Sequence, residues 1–123
     1  MKLAISITGQ TLDSPFDARF GRAASFCLVD TDTGSWTVHA NPALSASGGA
    51  GVQAAQFIAQ LGAQAIVSGA YGPKAYTTLA AANIQRFLAS GHYGRTAADI
   101  LTAFKSGHLA TADDATHGGH HGG

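Results

Sequence analysis

The sequence predicts one mixed α/β domain: a five-stranded sheet with one antiparallel strand and helices on both faces. Three observations lead there. The chain has 123 residues, a one-domain length, and 46% hydrophobic content, enough for a real core. In its second half short apolar runs alternate with helical periodicity, which implies parallel strands joined by right-handed crossovers. In its first half Thr31-Asp32-Thr33-Gly34 is turn chemistry between two strand-like runs, which makes a hairpin and reverses one strand.

The elements follow in order. Residues 2–8 alternate and are rich in Ile and Leu, the pattern of a buried strand. Residues 9–23 form a long loop broken by Asp13, Ser14, Pro15 and Gly21. Residues 24–30 and 35–40 are the hairpin strands, and residues 41–49 are a second long loop. Over residues 51–61, Val52, Ala55, Phe57, Ile58 and Leu61 recur at helical spacing, and Gly62 ends the helix. Residues 63–68 form a short apolar strand, followed by the loop Gly69-Ala70-Tyr71-Gly72-Pro73. Pro73 suits the first turn of a helix running to about residue 82. A fifth strand over 83–88, a loop around His92 and a helix over 96–105 complete the domain. Residues 110–123 lack apolar periodicity and are read as a disordered Gly/His-rich tail, leaving residues 1–109 as the folded unit.

Charge and composition exclude several functions. Seven Lys and Arg balance seven acidic residues, so the chain lacks the basic excess that nucleic-acid binding requires. With one cysteine, Cys27, no internal disulfide and no multi-cysteine cluster site is possible within one chain. Cys27 lies between Phe26 and Leu28 in a strand and reads as a small buried hydrophobe. No stretch of about 20 apolar residues could span a membrane, and no signal-peptide pattern opens the chain. The expected location is the cytoplasm. No GxSxG nucleophile elbow is present, and Asp13, Asp17 and Asp30 do not by themselves form the carboxylate cluster of two-metal chemistry. The chain is therefore read as a binding protein and not as an enzyme.

The feature richest in chemistry is Ser47-Gly48-Gly49-Ala50-Gly51, where a glycine-rich turn opens a helix. Ser47 or the glycines suit the N-cap, and glycine lets the backbone approach a ligand closely. The first four N–H groups of a helix lack internal partners and carry about half a positive charge, which favours an anion. The spacing is neither GxGxxG nor GxxxxGK[ST], so taken alone the loop also reads as a tight helix cap.

In order along the chain stand Leu12-Asp13-Ser14-Pro15, Phe20-Gly21-Arg22-Ala23, Val29-Asp30, Asn41-Pro42, Ser47-Gly48-Gly49-Ala50-Gly51 and Gly72-Pro73. Together they resemble the dinitrogenase iron–molybdenum cofactor biosynthesis proteins over residues 1 to about 109. The resemblance implies a ribonuclease H-like fold. It implies a non-catalytic carrier for an anionic molybdenum-containing sulfide cluster, Fe-Mo-S or Mo-Cu-S, with cluster donor or acceptor proteins as partners. Many family members carry His where this chain has Arg19, so a permanent cation replaces a metal-binding imidazole and charge pairing replaces ligation.

The expected cradle is Ser47, Gly48, Gly49, Ala50, Gly51 and Gly72, with Arg19 and Arg22 as cations and His92 as a ligand or hydrogen-bond donor. Each has a plainer reading, as solvated surface arginines, a helix cap and a loop histidine. His117, His120 and His121 in the tail form a candidate site for Cu, Ni or Zn, because flexible neutral imidazoles chelate such ions. The rival function is a small enzyme or regulator that binds a phosphorylated metabolite at the same glycine loops.

Overall fold

A computed structural model describes residues 1–89 and 95–112. The strands are β1 (Lys2–Ile7), β2 (Ser25–Asp30), β3 (Trp36–Ala40), β4 (Ala65–Ser68), β5 (Gln85–Leu88) and β6 (Ala110–Thr111). The helices are α1 (Ala50–Gln60), α2 (Pro73–Ala81) and α3 (Ala97–Lys105), with a short 3-10 turn at Pro42–Ser45. The strands form a six-stranded sheet in the order β3-β2-β1-β4-β5-β6.

β1 and β2 are buried on both faces, which requires a helical layer on each side of the sheet. Alternation along β1 assigns the faces. Leu3, Ile5 and Ile7 pack with Cys27, Val29, Val67 and, from α3, Ala97 and Ile100. Ala4 packs with Phe26, Leu28, Ile66 and, from α1 and α2, Ala54, Ile58 and Leu79. Each fully buried Leu or Ile contributes roughly 1.5–3 kcal/mol. The helices therefore cover both faces, as expected.

Two features of the sheet differ from the expectation. There are six strands rather than five, and two of them are reversed. β2 runs antiparallel to β1 and β3, and β6 runs antiparallel to β5. β6 is only two residues long, so it carries no readable period, and it forms because the edge of β5 offers partners. The chain just after it is also fastened. The Ala112 N–H donates to Arg86 O at 2.8 Å, the Tyr76 hydroxyl donates to Ala112 O at 3.3 Å, and Ala112 is buried. Residues 110–112 thus belong to the fold and not to a tail. Residues 113–123 lie outside the described residues.

The two antiparallel steps from β1 to β3 return β3 to the direction of β1, which β4 and β5 share. The connections leaving β1, β3, β4 and β5 therefore gather at one end of the sheet, the carboxyl end where ligands bind in α/β folds. Among the described residues, no helix is long and apolar enough to cross a membrane.

Candidate functional site

At that end lies a cleft of about 620 Å³. Three segments build it: Ala18–Arg22 after β1, the start of α1, and the start of α2. Each is held in place by a specific device.

The first segment is anchored from below. Ser6 is the penultimate residue of β1, Ser68 ends the adjacent β4, and both are fully buried. Ser6 Oγ donates to Asp17 O at 2.6 Å and lies 2.9 Å from Ser68 Oγ, which donates to Ala18 O at 3.4 Å. The Gly69 N–H also donates to Ala18 O, at 3.0 Å. Phe20 plugs the core, 5.5 Å from the rings of both Phe26 and Tyr71. Tyr71 is itself fixed by donating to Phe87 O at 2.6 Å, and burial pushes its hydroxyl well above the ordinary tyrosine range.

Asn41 explains the Asn-Pro step. Its buried amide donates to Gly21 O at 3.1 Å and Ala23 O at 2.9 Å, while its oxygen accepts from Ala43 N–H at 2.9 Å. One side chain thereby ties the Arg22 segment to the approach to α1. Gly21 lies so close to α1 that an added Cβ would stand 3.0 Å from Gly51 N and 3.1 Å from Gly51 Cα. A side chain there would force the first turn of α1 to give by a few tenths of an ångström.

Both helices open onto the cleft without a side-chain cap or an acidic residue in the first turn. The N-cap of α1 is Gly49 at φ 71°, a left-handed conformation that glycine adopts freely. The N–H groups of Ala50, Gly51 and Val52 have no carbonyl partner inside α1. The N-cap of α2 is Gly72, and Pro73 follows as expected. By contrast α3, which faces elsewhere, carries a full capping box: Thr96 accepts from Asp99 N–H and Asp99 accepts from Thr96 N–H.

Three cations line the cleft: Arg19, Arg22 and Lys74. Arg19 is engaged by Asp17 through Nε to Oδ1 and Nη2 to Oδ2, both at 3.1 Å. That pairing holds the guanidinium above its ordinary pKa, by hydrogen bonding first and charge second. Arg22 reaches Ala46 O at 3.3 Å and Leu44 O at 3.5 Å, which are long contacts on an exposed side chain. The remaining walls are largely apolar, from Ala18, Phe20, Val52, Ala70, Pro73 and Ala75.

Of the residues singled out from sequence, Arg19, Arg22, Gly49, Ala50, Gly51 and Gly72 meet in this one cleft. Ser47 and Gly48 do not line it: the helix starts too late for Ser47 to cap, and both residues are exposed outside. His92, His117, His120 and His121 lie outside the described residues. Lys74 was missed, although it directly follows the Gly72-Pro73 motif. Cys27 is fully buried among the residues packed toward α3, and burial pushes its thiol up to about 11. Among the described residues no group of three or more His, Cys, Asp or Glu could hold a metal ion.

Several solved structures resemble the chain, two of them closely in fold and sequence. The apo form of the orange protein from Desulfovibrio gigas is 34% identical, with a TM-score of 0.89 over 94% of this chain and 96% of that one. A protein from Thermotoga described as a NifB protein, solved by NMR, is 28% identical, with a TM-score of 0.81 over 96% and 98%. No curated protein sequence matches the chain. The family model described as dinitrogenase iron–molybdenum cofactor matches residues 1–107, and the chain belongs to that family.

Proposed function

We propose that this protein is a non-catalytic carrier that holds an anionic molybdenum-containing sulfide cluster, with iron or copper as the second metal, in the cleft. Backbone N–H groups and cationic side chains do the holding. One observation carries the reading: two helix N-termini without side-chain caps and three cations converge on apolar walls, with no metal-ligating cluster among the described residues. Such a site suits a preassembled anion whose metals are already saturated by sulfide. A sulfide-covered cluster is a weak hydrogen-bond acceptor, so apolar walls cost it little. A phosphate ester would need most of its oxygens matched by donors when desolvated, which Ala, Val and Pro side chains do not supply.

Other features fit. Gly72 lines the cleft, and an added Cβ there would meet nothing within 4 Å, so the space beside it is open. The β3-β2-β1-β4-β5 order with β2 reversed supports the ribonuclease H-like reading. A carrier of this kind would work with cluster donor or acceptor proteins, in a cytoplasmic setting. The test is anaerobic titration of the protein with tetrathiomolybdate, alone and with cuprous or ferrous ion, read by visible absorption and metal content after gel filtration. Retention of a coloured species at a fixed stoichiometry supports the carrier reading. No retention, together with tight binding of inorganic phosphate or a phosphorylated metabolite, would replace it with the rival function.

A further inference from the structure

Lys74 is the second residue of α2, is exposed, and lines the cleft. This is an electrostatically disfavoured place for a cation, because the N-terminal end of a helix is already positive. α3 shows the usual arrangement, with Asp99 in its first turn and Lys105 in its last. Within α2 nothing offsets Lys74, since its first turn has no acidic residue. Among the described residues the Lys74 ammonium group has neither ion pair nor hydrogen bond. A choice that breaks a local rule without local compensation marks a functional position.

The neighbouring cations sharpen the point. Arg19 is cancelled by Asp17, whose side chain is 5% exposed. Arg22 keeps its full charge, because its contacts are to neutral carbonyls. Among the described residues, the uncompensated charge of the cleft is therefore that of Arg22 and Lys74, added to two helix N-termini.

We infer that Lys74 is a specificity-determining residue of the cleft: with Arg22 it selects thioanions of charge two or more over singly charged ones of the same shape. Asp17 sets the upper limit of that selection by neutralising Arg19. The inference rests on the carrier reading.

Tetrathiomolybdate and tetrathioperrhenate test it. They are tetrahedral, coloured and nearly the same size, with charges of minus two and minus one. Wild type binds the dianion more tightly. Lys74→Gln weakens dianion binding roughly fivefold and monoanion binding roughly twofold, the scale of one partly exposed charge pair. Lys74→Arg restores the preference, and Asp17→Asn, checked for folding by circular dichroism, strengthens dianion binding. Equal losses for both anions in Lys74→Gln, or no loss at all, would overturn the inference while leaving the carrier reading in place. Failure of wild type to bind either anion would overturn both.

Discussion

Replacing Gly21 by alanine adds one methyl group against the backbone of the first turn of α1, at the rim of the cleft. Its Cβ would stand 3.0 Å from Gly51 N, 3.1 Å from Gly51 Cα and 3.4 Å from Ala50 C. Carbon atoms pack at about 3.5–4.0 Å, so several tenths of an ångström must be found. The neighbours are backbone atoms of the first turn of α1 and have no rotamer to change. The Gly21 side is equally constrained: Phe20 is 2% exposed in the aromatic cluster, and Asn41 grips Gly21 O. Overpacking of this kind costs about 1–3 kcal/mol. At about 2.1 cal/mol/K per residue, each kcal/mol lowers the Tm of a domain of about 110 residues by about 4 °C, so the melt should fall by roughly 4–12 °C. The displaced α1 terminus should also weaken tetrathiomolybdate binding. The control for the melt is Gly72→Ala: its φ of −67° is ordinary, and the new Cβ meets no protein atom within 4 Å. Thermal melts followed by circular dichroism, and anaerobic titrations, measure both variants. Gly21→Ala with a wild-type Tm and wild-type affinity would refute the close-approach argument.

Three further outcomes are expected. Ser6→Ala removes the donor to Asp17 O and should cost about 1–3 kcal/mol, seen as a lower urea midpoint at unchanged m-value, because the buried carbonyl loses its partner. Cys27 should resist thiol reagents in the native state at neutral pH. Because burial raises its pKa from 9.0 to about 11, the folded state keeps its proton when the unfolded state has lost it, so stability should fall as pH rises from about 9 toward 11. Cys27→Ala should flatten that part of the pH profile, and an unchanged profile would count against it. Truncation after Leu109 removes β6 and buried Ala112 and should melt lower than truncation after Ala112. Equal melts would mean that β6 adds nothing, and copper or nickel retention by the longer form against full length tests the three tail histidines.

Much of the fold was legible because its cues are local. The alternation of residues 2–7, the Thr31–Gly34 turn, the helical spacing after Gly51 and Pro73 at a helix start each depend on a few adjacent residues. The glycine loops pointed to the right end of the sheet, since strand–helix alternation fixes where such loops lie. Individual roles were less legible. Ser47 looks like an N-cap in sequence, yet the N-cap is Gly49, two residues later, and α1 begins at Ala50. Arg19 looks like a free cation, and only the structure shows its pairing with Asp17.

The sequence by itself determined the order of the first five strands and the three helices, the burial of β1, and the helix start at Gly72-Pro73, because periodicity, turn chemistry and caps are properties of neighbouring residues. The tertiary structure decided the rest. β6 exists because the distant edge of β5 supplies its hydrogen bonds, and the cleft exists because Ser6, Ser68 and Asn41 bring residues 17–22 against two helix starts. A side chain at Gly21 would press on Gly51, 30 positions away. Lys74 stands out only once Arg19 is seen to be neutralised. These are contacts between segments far apart in the chain, and no local pattern encodes the distance between them.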